Sequence, residues 1–469
     1  MRTRVLASLG SLVAVLGVTG ERTVFAQEAE TPLYQSPVTD AEDLPVHKKS
    51  YFVPGAEILF MNLALITGAR ISGVDWGQSD LSTIKRNLTT PWELDTDAYS
   101  TNQLGHPFGG ALLFSTARST GHGFFVSGLY AIGGSTLWEV FLENEIPSIN
   151  DQITTPIGGM FIGEAMHRFG RVLLYRSYGH PGWVRKAAAT IIDPIGAANR
   201  AWWGDAWAKT IPPNIYAHFG FGIQQPTTML GDHGGEGQLH LEAYVEHGLA
   251  GDRAFQPRRP LDHFTFQAAM DIAPDNLEGL LYVRGMLLGR GLFAERIRGM
   301  VGMFGAYDFN NNDYTRASSL GVGPGATGEV RITDRAFLAG TLATYAVPYG
   351  AAGGINETEG PMRDHHDGPG LAGIAELQGG IRGLATVRAT TRAYLIAGRL
   401  VDDNANELVL NNTIATRLHF TPHQAIGIEG TYIYRRANYA DDVPLMDPTD
   451  RTFDVRLFYA LTTDEILGR

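Results

Sequence analysis

The sequence predicts an α+β architecture: an N-terminal helical unit over residues 50–205, then an antiparallel β-barrel of about 12 strands over residues 213–462. Three observations predict it. Apolar residues recur at helical spacing as far as Pro213 and at spacing two beyond it. The period-two segments run to about 10 to 16 residues, long enough for the roughly 9–11 that a tilted membrane strand needs. Glycine is 57 of 469 residues and charged residues are only 18%, against usual values of about 7% and about 25%.

The N-terminus reads as an export signal. Arg2 and Arg4 precede an uncharged apolar run from Val5 to Val18, and Val24-Phe25-Ala26 offers small residues for cleavage before Gln27. The alternative is an uncleaved anchor. Residues 27–49, with Pro32, Pro37 and Pro45, read as an extended lead-in. The chain has no cysteine, which excludes a lipidated N-terminal cysteine, disulfides and thiolate metal sites. A net charge of −12 without a basic run leaves no electrostatic footprint for nucleic acid.

Helical spacing appears from Ala56 to Ala69 and again, densely, from Phe108 to Tyr175. Breaks are expected at Gly121-His122-Gly123, at Gly133-Gly134 and in the loop from Glu145 to Asp151, with a further short helix near Ala197–Ala206. Residues 70–105 read as turn-rich. Gly123–Leu142 is long enough to cross a membrane, with Glu139 as its only charge. A buried helix pair is the preferred reading of that stretch.

Strands are expected at 213–223, 237–248, 262–273, 278–290, 297–309, 316–332, 335–347, 370–380, 384–397, 406–419, 423–437 and 451–462. Phe264, Phe266, Ala268, Met270 and Ile272, alternating with more polar neighbours, show the pattern clearly. Tyr349–Pro369 reads as a long polar loop and Pro274-Asp275-Asn276 as a short turn, the asymmetry of a membrane barrel. The competing reading is a soluble β-sandwich. Residues 463–469 form a tail that does not end on an aromatic residue.

Ionisable side chains inside apolar context mark the helical unit: His106, Arg118, Glu139, Glu143, Asp151, Glu164, His167 and Arg168. Three readings follow. Glu164 and His167, with Glu139 and Glu143, fit one half of a di-iron site, which wants two Glu-x-x-His pairs and finds one. His106 with Glu139 or Asp151 fits a general base and its orienter, although no nucleophile motif accompanies them. The third reading is a buried ion-pair network in which Arg118 and Arg168 neutralise Glu139, Glu143 and Glu164. No cofactor and no metal are expected.

Several of these residues lie in spaced motifs: Asn102-Gln103-Leu104-Gly105-His106-Pro107-Phe108-Gly109-Gly110, Ala117-Arg118-Ser119, Trp138-Glu139, Glu145 to Asp151, Gly163-Glu164 with Arg168, and Asp193 to Arg200. In that order they resemble the bacterial domain of unknown function family 3943, over about residues 50–205. The resemblance implies an exported bacterial protein without an assigned activity. Expected partners are therefore outer-membrane lipid and a small-molecule or envelope ligand of unidentified kind. The helical unit is expected to plug the barrel or sit at its mouth, serving either a transport or structural barrel or an envelope enzyme acting on lipid or glycan.

Overall fold

The computed structural model describes residues 49–463 apart from residue 96 and segments 176–180, 204–213, 229–236, 253–254, 275–276, residue 313, 355–364, 399–404 and 440–448. The export signal, nearly all of the lead-in and the tail lie outside the described residues.

The helical unit comprises α1 (Phe52–Ile71), α2 (Leu81–Thr89), α3 (His106–Ser119), α4 (Phe124–Leu137), α5 (Ile149–Ile153), α6 (Gly159–Tyr175), α7 (Trp183–Ile192) and α8 (Pro194–Trp203). Wide π-type turns at Thr101–Gly105, Trp138–Leu142 and Thr154–Gly158 lead into α3, extend α4 and join α5 to α6. Helix α2 falls where turns were expected. Its start is fixed by Asp80, whose carboxylate accepts from the Ser82 and Thr83 amides at 2.7 and 3.0 Å. The expected break at Gly133-Gly134 does not occur. A Cβ at Gly134 would lie 3.0 Å from Ile58 and 3.1 Å from Leu113, so that glycine lets α1 and α3 approach α4 without interrupting it. Gly110 and Gly159 do the same where α3 meets the start of α6: a side chain on either would enter the other strand of the crossing, at the Thr155 carbonyl or the Gly110 backbone.

Residues beyond Asn214 form twelve antiparallel strands: β1 (Ile215–Thr228), β2 (Gln238–His247), β3 (Phe264–Ile272), β4 (Leu277–Phe293), β5 (Ile297–Asn311), β6 (Thr315–Arg331), β7 (Ala336–Gly354), β8 (His366–Ile381), β9 (Ala385–Gly398), β10 (Ala405–Thr421), β11 (Gln424–Tyr439) and β12 (Thr449–Thr462). Each pairs with its neighbours in sequence, and β1 pairs with β12 to close a barrel. Closure leaves no unpaired edge. Part of the expected loop Tyr349–Pro369 is strand, because β7 runs on to Gly354 and β8 starts at His366.

The register separates the two faces. Gln267 pairs with Tyr282, and Tyr282 with Asp308. These side chains point inward, where Arg392 of β9 donates to Gln267 at 3.3 Å and lies 4.0 Å above the Tyr282 ring, and Tyr394 donates to Asp308 at 3.0 Å. One residue along, Phe266, Val283 and Tyr307 pair in turn and point outward. They are nonetheless buried, because the helical unit lies on them: Phe169 of α6 packs on Phe264 and Phe266 with ring centroids 5.6 and 5.1 Å apart, and the Tyr307 hydroxyl donates to the Gln103 carbonyl at 2.6 Å.

The expectation of a plug or mouth cover is therefore corrected. The helices sit on the outer wall of β1 to β7, where Phe264, Leu281, Tyr307, Phe309 and Leu320 form one core with Phe114, Phe161 and Phe169. The reason is shape: the glycine-bearing face of β5 at Gly305 receives Phe161, and side chains of the described strands crowd the lumen. Met300, Phe304, Tyr345, Tyr394 and Ile396 pack together inside it. Arg456 pairs with Glu429 on adjacent β11 at 2.6 Å and reaches Asp271 on β3 at 3.3 Å. The β2–β3 connection also folds inward, with the Ala250 amide donating to Glu246 and Arg298 donating to the Gly251 carbonyl.

Candidate functional site

The polar residues of the helical unit separate into two clusters at opposite ends of α3. His106 opens that helix and Arg118 stands near its close, about 18 Å further along at 1.5 Å per residue.

The cluster around Arg118 is an ion-pair network. Glu164 accepts from Arg118 Nε at 2.6 Å and from Arg168 Nε at 2.8 Å, and it is fully buried. Arg168 continues to Asp262 at 3.0 Å and to the Pro260 carbonyl at 3.1 Å, tying α6 to the β2–β3 connection. Beside it, His167 lies 3.7 Å from Asp193, and Asp193 3.8 Å from Arg200. Glu164 and Arg168 are the i,i+4 pair that the spacing suggests. Both Glu164 oxygens are engaged by arginine, so the Glu-x-x-His pair is not directed at a shared metal. Among the described residues no group of three or more His, Asp or Glu is arranged to hold a metal ion.

Glu139 and Glu143 do not belong to this network, contrary to expectation. The π-type turn at Trp138–Leu142 rotates them apart. Glu139 accepts from the Ser148 amide at 2.9 Å, and Glu143 from Trp138 Nε1 at 3.1 Å. Glu139 lies instead at the edge of the second cluster.

That cluster centres on Asp95 and Asp151. Ser148 caps α5 by accepting from the Asp151 amide at 3.2 Å, and its hydroxyl donates to Asp95 at 2.9 Å. Asn102 donates to the other Asp95 oxygen at 2.8 Å. Burial works against the charge of Asp95, but hydrogen bonds from Asn102, Asn150 and Asp151 outweigh it and hold its pKa down at about 2. Burial, with Asp95 and Glu139 adding like charge, pushes Asp151 up to about 11. The two carboxyls are thus pushed in opposite directions, Asp95 toward the ionised form and Asp151 toward the protonated one. His106 Nε2 stands 3.3 Å from Asp151 Oδ2, and burial lowers its basicity, so it is a neutral imidazole at pH 7. His106 keeps a quarter of its side chain exposed.

His106, Glu139 and Asp151, singled out in the sequence, therefore come together: His106 directly on Asp151, and Glu139 through Ser148. Asp95 was missed because it falls in the turn-rich stretch before Asn102. Its signal is the side-chain oxygen needed to satisfy the Asn102 amide at the head of the motif. Besides His106 Nε2, which faces Asp151, two buried polar atoms of this region make no hydrogen bond among the described residues: Asn102 Oδ1 and Thr154 Oγ1. Buried polar atoms are normally satisfied, so this group has unused capacity for a bound polar molecule.

Residues 91–195, which hold the second cluster and Arg118, Glu164, His167, Arg168 and Asp193 of the first, match the family model described as Domain of unknown function (DUF3943). The match is narrower than the 50–205 suggested by the motifs. No curated protein sequence matches the chain. Among solved structures the chain is similar to the NanC porin at 10% identity, covering 53% of this chain and 99% of that one, with a TM-score of 0.28. It is similar to the KdgM porin at 7% identity over 52% and 99%, with a TM-score of 0.25. It is also similar to the Pseudomonas putida toluene transporter TodX at 10% identity over 54% and 90%, with a TM-score of 0.23.

Proposed function

We propose that this is an outer-membrane enzyme of the bacterial envelope, in which the barrel is the membrane support and the Asp95–Asp151–His106 cluster carries acid–base chemistry on lipid or glycan. The observation that carries this reading is geometric: His106 Nε2 stands 3.3 Å from Asp151 Oδ2, Ser148 bridges Asp151 to Asp95, and buried polar atoms without partners lie beside them. Asp151 in turn presents Oδ2 to His106, the member of the group that reaches solvent. Such a relay can take a proton from a substrate at His106 and return one to a leaving group. The crowded lumen supports the same reading: one polar void among the described residues, between Gln267, Asp271, Arg388, Arg392 and Arg456, has a volume of about 40 Å³, room for water and not for a sugar or an aromatic solute.

The test uses the full chain in proteoliposomes made from outer-membrane lipid extract, with lipopolysaccharide and soluble glycan fragments supplied, and mass spectrometry of the products. Wild type is expected to convert one of these classes, and His106→Ala and Asp151→Asn to lose about 10²–10⁴-fold, the usual contribution of a positioned acid or base. Equal conversion by both variants, or none by wild type, would sink the reading.

A further inference from the structure

Helices α1 and α4 present a face to the outside that nothing in the protein covers. On α1 it is built from Leu59, Phe60, Leu63 and Leu65, with Phe60 72% exposed; on α4 from Phe125, Val126, Leu129 and Ile132, with Leu129 65% exposed. The two helices are neighbours, since Asn62 donates to the Gly134 carbonyl at 3.1 Å. Their other faces pack on α3 and α6, so the pair expected to be buried is covered on one side only. The charges bounding the α1 face are Glu57, which accepts from Asn199, and Arg70, which turns back to the Gly77 and Ser79 carbonyls. None stands between them, and none lies on α4 before Glu139, which is buried.

The geometry points to this face lying in the bilayer, with lipid acyl chains as its occupant. Two observations select lipid over water or a protein partner. Helices Phe52–Ile71 and Phe124–Leu142 have mean hydropathies of 1.5 and 1.2 over a window long enough to cross a membrane. The helical unit that carries this face also borders the outward apolar belt of the barrel. On β5, exposed Met303 is followed on the same face by Gly305, which lies under Phe161 of α6; on β1, Phe219 packs on the covered core and the next outward residue, Phe221, is exposed. A bundle in water would expose this apolar area beside a barrel in lipid, and patches of that size are not left to water.

This places α-helices within the same bilayer as a barrel, fused to its wall. It rests on the outer-membrane placement proposed above but not on the enzymatic reading. The cysteine-free chain allows a direct test. Single cysteines at Leu63→Cys and Leu129→Cys, labelled with bimane in proteoliposomes, report quenching by brominated phospholipid and by aqueous iodide. Ile426→Cys on the barrel belt and Lys85→Cys on exposed α2 serve as lipid and water references. The expected result is lipid quenching at positions 63 and 129 within about twofold of position 426, with little iodide quenching. Iodide quenching equal to that at position 85 overturns the proposal, and so does quenching by neither agent, the mark of a protein partner on the face. Failure of lipid quenching at position 426 itself would strike the barrel placement instead.

Discussion

At the scale of single residues, protonation separates a structural carboxylate from a working one. Glu164 has two arginines at ion-pair distance. Asp151 has none, and burial with the like charges of Asp95 and Glu139 pushes its pKa up to about 11. The unfolded chain releases the Asp151 proton near the ordinary aspartate value of about 4, so above it the native state binds more protons than the unfolded state. Stability contributed by this group is therefore fully present at low pH and falls as pH rises through the window up to about 11. Asparagine keeps a donor toward Asp95 and cannot ionise. Asp151→Asn is expected to unfold at a temperature equal to or above wild type at pH 8, with a flatter dependence between pH 6 and 9, in thermal scans of the detergent-solubilised protein. A variant less stable than wild type throughout would mean that Asp151 is ionised. These residues were legible in the sequence because ionisable groups in apolar context must be compensated. The identity of the compensating group was not: a carboxyl can be satisfied by a second carboxyl and a serine as well as by arginine, and spacing does not distinguish them. Glu139, whose partner is the Ser148 amide, is that case.

Between elements, Glu164 is the point where α3, α6 and the barrel connection meet. Arg118 comes from α3, Arg168 from α6, and Arg168 reaches on to Asp262. Removing the carboxylate leaves the Arg118 guanidinium without its anion and Arg168 with Asp262 alone. Glu164→Gln is expected to destabilise the helical unit by about 3–5 kcal/mol, the usual cost of breaking a buried pair from one side. Adding Arg118→Met is expected to recover part of that. Protease protection of α3 and α6 during denaturant titration measures both, and a single variant as stable as wild type would show the network to be solvated. The helices and strands themselves were readable to within a few residues where periodicity was long. Errors lie where glycine serves packing: Gly133-Gly134 looks like a break and Gly134 is a contact with Ile58 and Leu113. Helix α2 was hidden because its start depends on the Asp80 cap rather than on an apolar stripe.

For the whole molecule, twelve strands with alternating faces announced a barrel, but alternation cannot say which face is filled and by what. The inward positions carry both charge and bulk, Arg388, Arg392 and Arg456 as well as Phe304, Tyr345 and Tyr394, and side chains from opposite walls meet. A barrel of this size has an interior larger than ordinary side chains fill; here arginines long enough to span it, and the β2–β3 connection folded over Met286 and Phe304, complete the packing. Helices displaced from the lumen then find their burial on the outer wall. The two closures act in series, so neither alone sets the permeability. Wild type in planar bilayers is expected to be electrically silent. Arg388, Arg392 and Arg456 changed together to serine should remain silent because the connection still fills one end, and replacing residues 249–261 with a short turn should remain silent because the arginines still span the middle. Both changes combined should give stable ionic conductance, with heat-modifiable gel mobility confirming that each variant is folded. Steady porin-size openings in wild type would show that the lumen is a conduit and that the side chains crossing it move aside in the membrane.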